Sequence, residues 1–247
     1  MSPSSVPSGC SSHHRRTRWS AFSANSRAIG FFLNKEKVKA AIYDATAFFD
    51  QSGPLPCLVN AIYLWGIVLC ASPVLSAQES VFLSKSLSAI GIPSQYSDDT
   101  LQKVQTHILL SNYFMRCGHT KEGKSHSSTA MWLAMRSGFH KSAPSPSIAS
   151  LTPGMTDPAD NVAAFWAAYY LDKCWGILLT LPSACPDQRN PSDEDRIDVP
   201  WPVDVDKLVL VSDRLNLSSQ VVDRPCCLRC RRMLLDHNSL SVRSHAF

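Results

Sequence analysis

Only one group of residues in this sequence has a spacing typical of metal ligands, and it lies near the C-terminal end. Cys226, Cys227 and Cys230 occur together in the stretch PCCLRCRR, and His237 follows them. A structural zinc site takes four ligands, and this cysteine group supplies at most three thiolates. We therefore predict no metal-binding residue here and interpret the segment as a thiol-bearing tail.

A catalytic site is not indicated by the other reactive residues. Nucleophilic catalysis needs a nucleophile, a base and an orienting group that meet in space. The eight histidines are scattered and fit no hydrolase or kinase signature, and there is no glycine-rich phosphate-binding loop. We predict no catalytic residue, no cofactor-binding residue and no enzymatic activity. His140 is expected to cap a helix end, and His107 to lie on a helix flank.

Asp172 is the charged residue that we expect to matter most. Together with Lys173 it interrupts an otherwise uncharged, apolar helical segment. Because an uncompensated buried charge is costly, this carboxylate should have a basic partner. Lys173, Arg136 and His140 are the candidates, and the expected role of the pair is structural.

The elements that would position these residues are centred on a helical hairpin between Leu101 and Lys141. The first helix has Leu101, Val104, Ile108 and Met115 on one face by their three- and four-residue spacing. Gly118 supplies a helix stop, and the second helix continues to Gly138. The pattern predicts a mostly enclosed pair of helices.

A further helix, over Asn161 to Leu181, is apolar nearly all round and belongs at the centre of a bundle. Aromatic residues at helical spacing are usually part of a core, and the alternative is a groove that binds an apolar effector. The residues that could line such a groove are Trp65, Tyr113, Trp132, Trp166 and Trp175.

The segment from Leu55 to Leu75 leaves two interpretations open, because no charge occurs between Asp50 and Glu79. A membrane span needs about 20 mostly apolar residues. Prolines at 56 and 73 trim the helix to roughly 57–71, the length of a buried core helix. We favour the buried helix, and the alternative is a single-pass membrane-anchored protein with its anchor near 55–75. Short helices are also predicted over 34–50 and 76–90.

The composition predicts ordered helices between looser ends. The net charge of +4 is mild, and the first acidic residue is Glu36. We expect a disordered basic tail over 1–35, a helical domain over 36–206 and a poorly ordered tail over 207–247. Within the domain, the Pro- and Ser-rich stretch 142–157 should form a surface loop, and the acidic strip leading to Pro200 and Pro202 an extended strap. The fold class is therefore all-α, with five to six helices.

Four stretches in this order resemble the regulatory middle region of fungal zinc binuclear cluster transcription factors. They are VQTHILLSNYFMRCG, KEGKSHSSTAMWLAMRSGFHK, FWAAYYLDKCWGILLTLPSACPD and SDEDRIDVPWP. In that family a helix pair is followed by a Trp-rich helix with a Leu-Asp-Arg/Lys core and then by an acidic strip ending in Pro-x-Pro. The resemblance covers roughly Leu55 to Val203.

The resemblance implies an all-helical regulatory domain that works in the nucleus and controls transcription by RNA polymerase II. DNA would be read by a separate zinc-cluster module, so DNA is a partner only through that module and zinc is expected only there. This sequence contains no six-cysteine cluster. A small-molecule effector or a co-regulator protein would be the other partner, with no membrane involved. Trp132, Trp166, Asp172 and Trp175 are the residues expected to support the structure or line an effector groove.

Overall fold

The computed structural model describes residues 8–43, 54–91, 97–141 and 158–200, and within these ranges the chain is helical throughout its regular structure. A single 3-10 turn lies at Arg27–Ile29. The α-helices are α1 (Ser8–Asn25), α2 (Lys35–Tyr43), α3 (Pro56–Cys70), α4 (Pro73–Ser76), α5 (Glu79–Ile90), α6 (Ser97–Cys117), α7 (Thr120–Arg136) and α8 (Pro158–Leu179). The predicted all-α class is confirmed, and each of the six predicted helices is present.

The centre of the fold is the hairpin of α6 and α7. Gly118 takes a left-handed conformation with φ of 80°, which ends α6, and the His119 amide donates to the Phe114 carbonyl at 2.9 Å. Small residues on α7, among them Ala130 and Ala134, are fully buried, so the two helices pack closely. The predicted turn and helix stops are confirmed.

Helix α3 is a buried helix of 15 residues, and ten of them are enclosed. Two side-chain hydrogen bonds hold it in place: the Trp65 indole donates to the Leu109 carbonyl of α6 at 2.9 Å, and the Ser86 hydroxyl of α5 donates to the Cys57 carbonyl at 2.9 Å. Among the residues that the structure describes, no helix has the length and apolar character needed to span a bilayer. The interpretation as a core helix is confirmed.

The N-terminal segment differs from the sequence expectation, because residues 8–25 form α1 instead of a structureless tail. Trp19 and Phe22 are its buried anchors, and the Phe22 ring contacts that of Phe31 with centroids 5.0 Å apart. Arg18 is also buried, with its guanidinium 4.7 Å from the centre of the Phe82 ring. Two aromatic anchors and one cation over a ring hold α1 on α3 and α5, although its sequence lacks a continuous apolar stripe.

Close approach of α1 to α3 depends on Gly66, and Gly66→Ala is expected to destabilise the fold by about 1–3 kcal/mol. A β-carbon at this position would lie 2.8 Å from the backbone carbonyl carbon of Arg18, and backbone cannot rotate aside. Urea unfolding would measure the loss, and trypsin cleavage at Arg15 and Arg16 should become faster in native conditions. Gly91→Ala is the matched control, since nothing lies within 4 Å of that position. Equal unfolding midpoints for the two variants would contradict this packing.

The C-terminal part of the described chain, residues 180–200, has no regular structure and contacts α8 and the residues that follow α7. We call residues 186–200 the strap. Val199 is buried in the main core, and Ile197 packs against it. The Pro- and Ser-rich stretch 142–157, the segment 201–247 and the cysteines Cys226, Cys227 and Cys230 lie outside the described residues.

Candidate functional site: the Asp172 junction and the strap

Asp172 lies at the point where α7, α8 and the segment after α8 meet, and its side chain is 0% exposed. The Lys124 ammonium of α7 donates to Oδ1 at 2.7 Å, and the Ser183 hydroxyl donates to Oδ2. Backbone amides complete the set: those of Ala184 and Cys185 donate to Oδ2 at 2.9 and 3.1 Å. We call these five residues the Asp172 junction. It stabilises a buried charge with one cation and three further donors.

The junction keeps Asp172 ionised. Burial by itself would raise the pKa of this carboxyl group. The hydrogen bonds from Lys124, Ser183 and the amides of Ala184 and Cys185 outweigh that cost, so the pKa of Asp172 lies below its ordinary value. The carboxylate is therefore charged at neutral pH, and its interactions support the position of residues 183–185 after α8.

A second chain of hydrogen bonds joins α7 and α8 to α6. The Trp175 indole of α8 donates to the Ser111 hydroxyl of α6 at 2.9 Å, and that hydroxyl donates to the Gly123 carbonyl of α7 at 2.8 Å. Trp175 is completely buried. Its ring fits against Gly123 so closely that a β-carbon there would lie 2.7 Å from Cζ2. Shape and hydrogen bonding together fix the crossing of α6, α7 and α8.

The strap is held by the residues that follow α7. The buried His140 ring has Nε2 at 2.7 Å from the Glu194 carbonyl, so Nε2 carries a proton and donates it. The His140 carbonyl accepts from the amides of Asp198 and Val199 at 2.9 and 3.3 Å. We call His140 and Lys141 the strap clamp.

Lys141 contributes the electrostatic part of the strap clamp. Its ammonium donates to the Asp193 carbonyl at 2.6 Å, to the Arg196 carbonyl at 2.8 Å and to the Asp198 carboxylate at 3.3 Å. The Trp166 indole of α8 donates to the Pro200 carbonyl at 2.9 Å. Most of these bonds are to backbone carbonyls of the strap. They therefore depend on the backbone conformation of the strap as well as on its charge.

Two histidines form a pair across the hairpin that the sequence analysis did not predict. Nδ1 of His107 on α6 lies 2.8 Å from Nδ1 of His126 on α7, and the His126 ring stacks on Phe114 at 5.3 Å. One Nδ1 must donate and the other accept, so at least one ring is neutral. Burial, His126 and Lys103 lower the pKa of His107 to about 3, and burial lowers that of His126.

Acidification is expected to destabilise the hairpin through this pair. An unfolded histidine has a pKa of about 6.5, so between about 6.5 and about 3 the unfolded chain binds more protons than the folded one. The free energy of unfolding therefore falls as the pH falls. The decrease is at most about 1.4 kcal/mol per pH unit for each histidine that is protonated only in the unfolded chain. Urea unfolding across this range should show a flatter pH dependence for the double variant His107→Gln, His126→Gln. Parallel curves for the variant and the wild type would contradict the assignment.

The structure places Asp172 in a buried pair, but with a different partner from those expected. Lys173 donates to the Ser183 hydroxyl at 2.7 Å, and Lys124, which lies in α7, makes the ion pair. His140 contacts the strap, as described above, and Arg136 lies over the Trp132 ring at 5.1 Å. No sequence pattern pointed to Lys124, because the pairing depends on how α7 and α8 cross.

The five aromatic residues considered as a groove differ widely in exposure. Trp175 is fully enclosed and Trp65 nearly so, whereas Trp132 is 53% exposed on the outer face of α7. The indoles of Trp65, Trp166 and Trp175 donate to protein acceptors, and the Tyr113 hydroxyl donates to Glu79 at 2.8 Å. These four residues serve the core. A separate cavity of about 520 Å³ lies between α1 and the end of α3, lined by Arg16, Thr17, Ser20, Ala21, Leu69 and Cys70.

Among the described residues, no three His, Cys, Asp or Glu side chains lie close enough together to hold a metal ion. Five cysteines of the helical domain are free thiols: Cys57, Cys70, Cys117, Cys174 and Cys185. Two of them, Cys57 and Cys185, have a raised pKa because they are buried, so they act as small apolar side chains.

Comparison with known protein families gives a match over most of the chain. The family described as the fungal specific transcription factor domain matches residues 31–226, which is well over half of the chain. No curated protein and no solved structure matches the chain. The match spans α2 to α8 and includes the Asp172 junction and the strap. The chain therefore belongs to the fungal specific transcription factor domain family.

Proposed function

We propose that this chain is the regulatory domain of a fungal-type RNA polymerase II transcription factor and acts in the nucleus. The observation that carries the proposal is the family match over residues 31–226. In this proposal a zinc-cluster module elsewhere reads the DNA, and the helical domain restrains or relays activation in response to an effector or a co-regulator protein.

The distribution of charge supports this division of labour. Phosphate contacts need clustered lysine and arginine residues. In the helices that cross at the Asp172 junction, Lys124 is engaged by Asp172 and Lys173 by Ser183. Lys141, which follows α7, is engaged by the strap. These three cations are engaged by groups of the domain itself.

A reporter assay tests the proposal. The full chain would be placed between a bacterial repressor DNA-binding module and an acidic activation segment in a fungal cell. Allosteric couplings are typically about 5- to 150-fold, so the chain should change reporter output by at least about fivefold relative to an unstructured linker of equal length.

Two variants make the assay specific. Asp172→Ala should abolish the effect because it dismantles the junction, while Asp187→Ala, which removes an exposed ion pair, should keep it. Equal output from the chain and the linker, with equal nuclear level and promoter occupancy, would reject the regulatory role.

A further inference from the structure

Ser192 lies at the start of a tight turn in the strap and is exposed. Its hydroxyl donates to the Asp195 carboxylate at 2.7 Å and accepts from the Asp195 amide at 3.2 Å. The Ser192 carbonyl accepts from the amides of Asp195 and Arg196 at 3.1 and 3.0 Å. This turn sets the direction of the next residues, whose carbonyls contact the strap clamp.

The residues after Ser192 carry three consecutive carboxylates, in the order Asp193, Glu194 and Asp195. The Asp193 side chain is 92% exposed, and Glu194 is exposed as well. Protein kinases select substrates by the charge pattern around the acceptor hydroxyl. An exposed serine followed by three acids suits a kinase whose peptide groove is lined by basic residues.

We propose that Ser192 is a phosphorylation site for an acidophilic serine/threonine protein kinase, and that its phosphorylation releases the strap from His140 and Lys141. The Ser192 oxygen attacks the γ-phosphorus of ATP while the bond from that phosphorus to the bridging oxygen of the β-phosphate breaks. ADP leaves, and the hydroxyl proton passes to the catalytic aspartate of the kinase.

The new charge acts on the turn directly. Phosphoserine carries about −1.5 to −2 charges at neutral pH and has lost the hydroxyl proton that Ser192 donates to Asp195. A phosphate beside the Asp195 carboxylate, and next to Asp193 and Glu194, is repelled by all three. Arg196, which lies in the same turn, already pairs with Asp193 at 3.1 Å.

Opening this turn withdraws the acceptors that the clamp holds. The carbonyls of Asp193 and Arg196 contact the Lys141 ammonium, and that of Glu194 contacts His140. All three carbonyls belong to residues 192–196, which form the turn. The strap therefore separates from His140 and Lys141, while the buried Asp172 junction keeps α7 and α8 together.

The first experiment measures modification of the full chain. An acidophilic serine/threonine kinase with ATP should incorporate phosphate at Ser192, located by peptide mass spectrometry. Ser192→Ala should remove that incorporation, and Asp195→Asn should reduce it because the third acid is neutralised. Ser125, exposed on α7 and without an acidic run after it, serves as an internal control that should stay unmodified. Lack of phosphate on Ser192 would overturn the assignment.

The second experiment measures release of the strap by amide hydrogen exchange. The amides of Asp198 and Val199 donate to the His140 carbonyl, so their exchange should become faster on the order of tenfold after phosphorylation. Ser192→Ala should exchange equally with and without kinase treatment, and the His119 amide at the α6–α7 turn should not change. Unaltered exchange at 198 and 199 in the phosphorylated protein would refute release. Neither measurement depends on the transcriptional role.

Discussion

Asp172→Ala is expected to destabilise the domain by about 3–5 kcal/mol, a large part of the 5–15 kcal/mol that typically separates folded from unfolded states. The substitution removes the acceptor of the Lys124 ammonium, whose side chain is only 12% exposed, and leaves a buried cation without its counter-ion. It also leaves the amides of Ala184 and Cys185 without the acceptor they share. Urea unfolding followed by circular dichroism measures the loss.

The direction of the pH effect follows from the lowered pKa of Asp172. The stabilisation is fully present above the unfolded pKa of about 3.9 and is lost as the pH falls through the lower folded value. The difference between the wild type and Asp172→Ala should therefore be constant near neutral pH and shrink only in strong acid.

Two variants separate the junction from a general effect of losing a carboxylate. Asp187→Ala removes an exposed ion pair with Arg189 and should leave the unfolding midpoint unchanged. Asp172→Asn keeps the shape and one acceptor oxygen for the amides, so its cost should be smaller than that of alanine. Surface substitutions typically change the free energy of unfolding by no more than about 0.5 kcal/mol. If Asp172→Ala lay within that range of the wild type, the junction would not stabilise the domain as described.

The fold was largely predictable from the sequence where the pattern is local. The apolar faces of α6 and α7, the stop at Gly118 and the apolar run of α8 each act within one helix or turn, and these elements appear as predicted. Helix α1 was missed because it depends on partners distant in sequence. Its stability comes from a few anchors, such as Trp19 and Phe22, that dock on other helices.

The site was predictable in its centre but not in its contacts. A carboxylate inside an apolar helix, Asp172, must be compensated, and this reasoning holds for any fold. Which cation compensates it is decided by the crossing of α7 and α8, which brings Lys124 into reach. The same limit applies to the His107–His126 pair, since helix spacing does not reveal which flanks of two helices face each other.

Trp175→Ala is also expected to cost about 3–5 kcal/mol, the range observed when a large buried aromatic side chain is truncated. Trp175 is completely buried between α6, α7 and α8, so its removal leaves a cavity at their crossing. Trp132→Ala is the matched control, because Trp132 is 53% exposed and should change stability by no more than about 0.5 kcal/mol. Similar losses for the two variants would show that burial does not set the cost.

The fit between Trp175 and Gly123 can be tested as a pair. Gly123→Ala alone should destabilise by about 1–3 kcal/mol, since the new methyl group would lie 2.7 Å from the indole Cζ2. Trp175→Phe alone should also destabilise, because it removes the indole that donates to Ser111 and opens space beside Gly123. In the double variant the alanine methyl group occupies part of that space. Its loss of stability should therefore be smaller than the sum of the losses of the two single variants. Strict additivity would show that the two residues are not in the contact described, and that α7 and α8 approach each other for another reason.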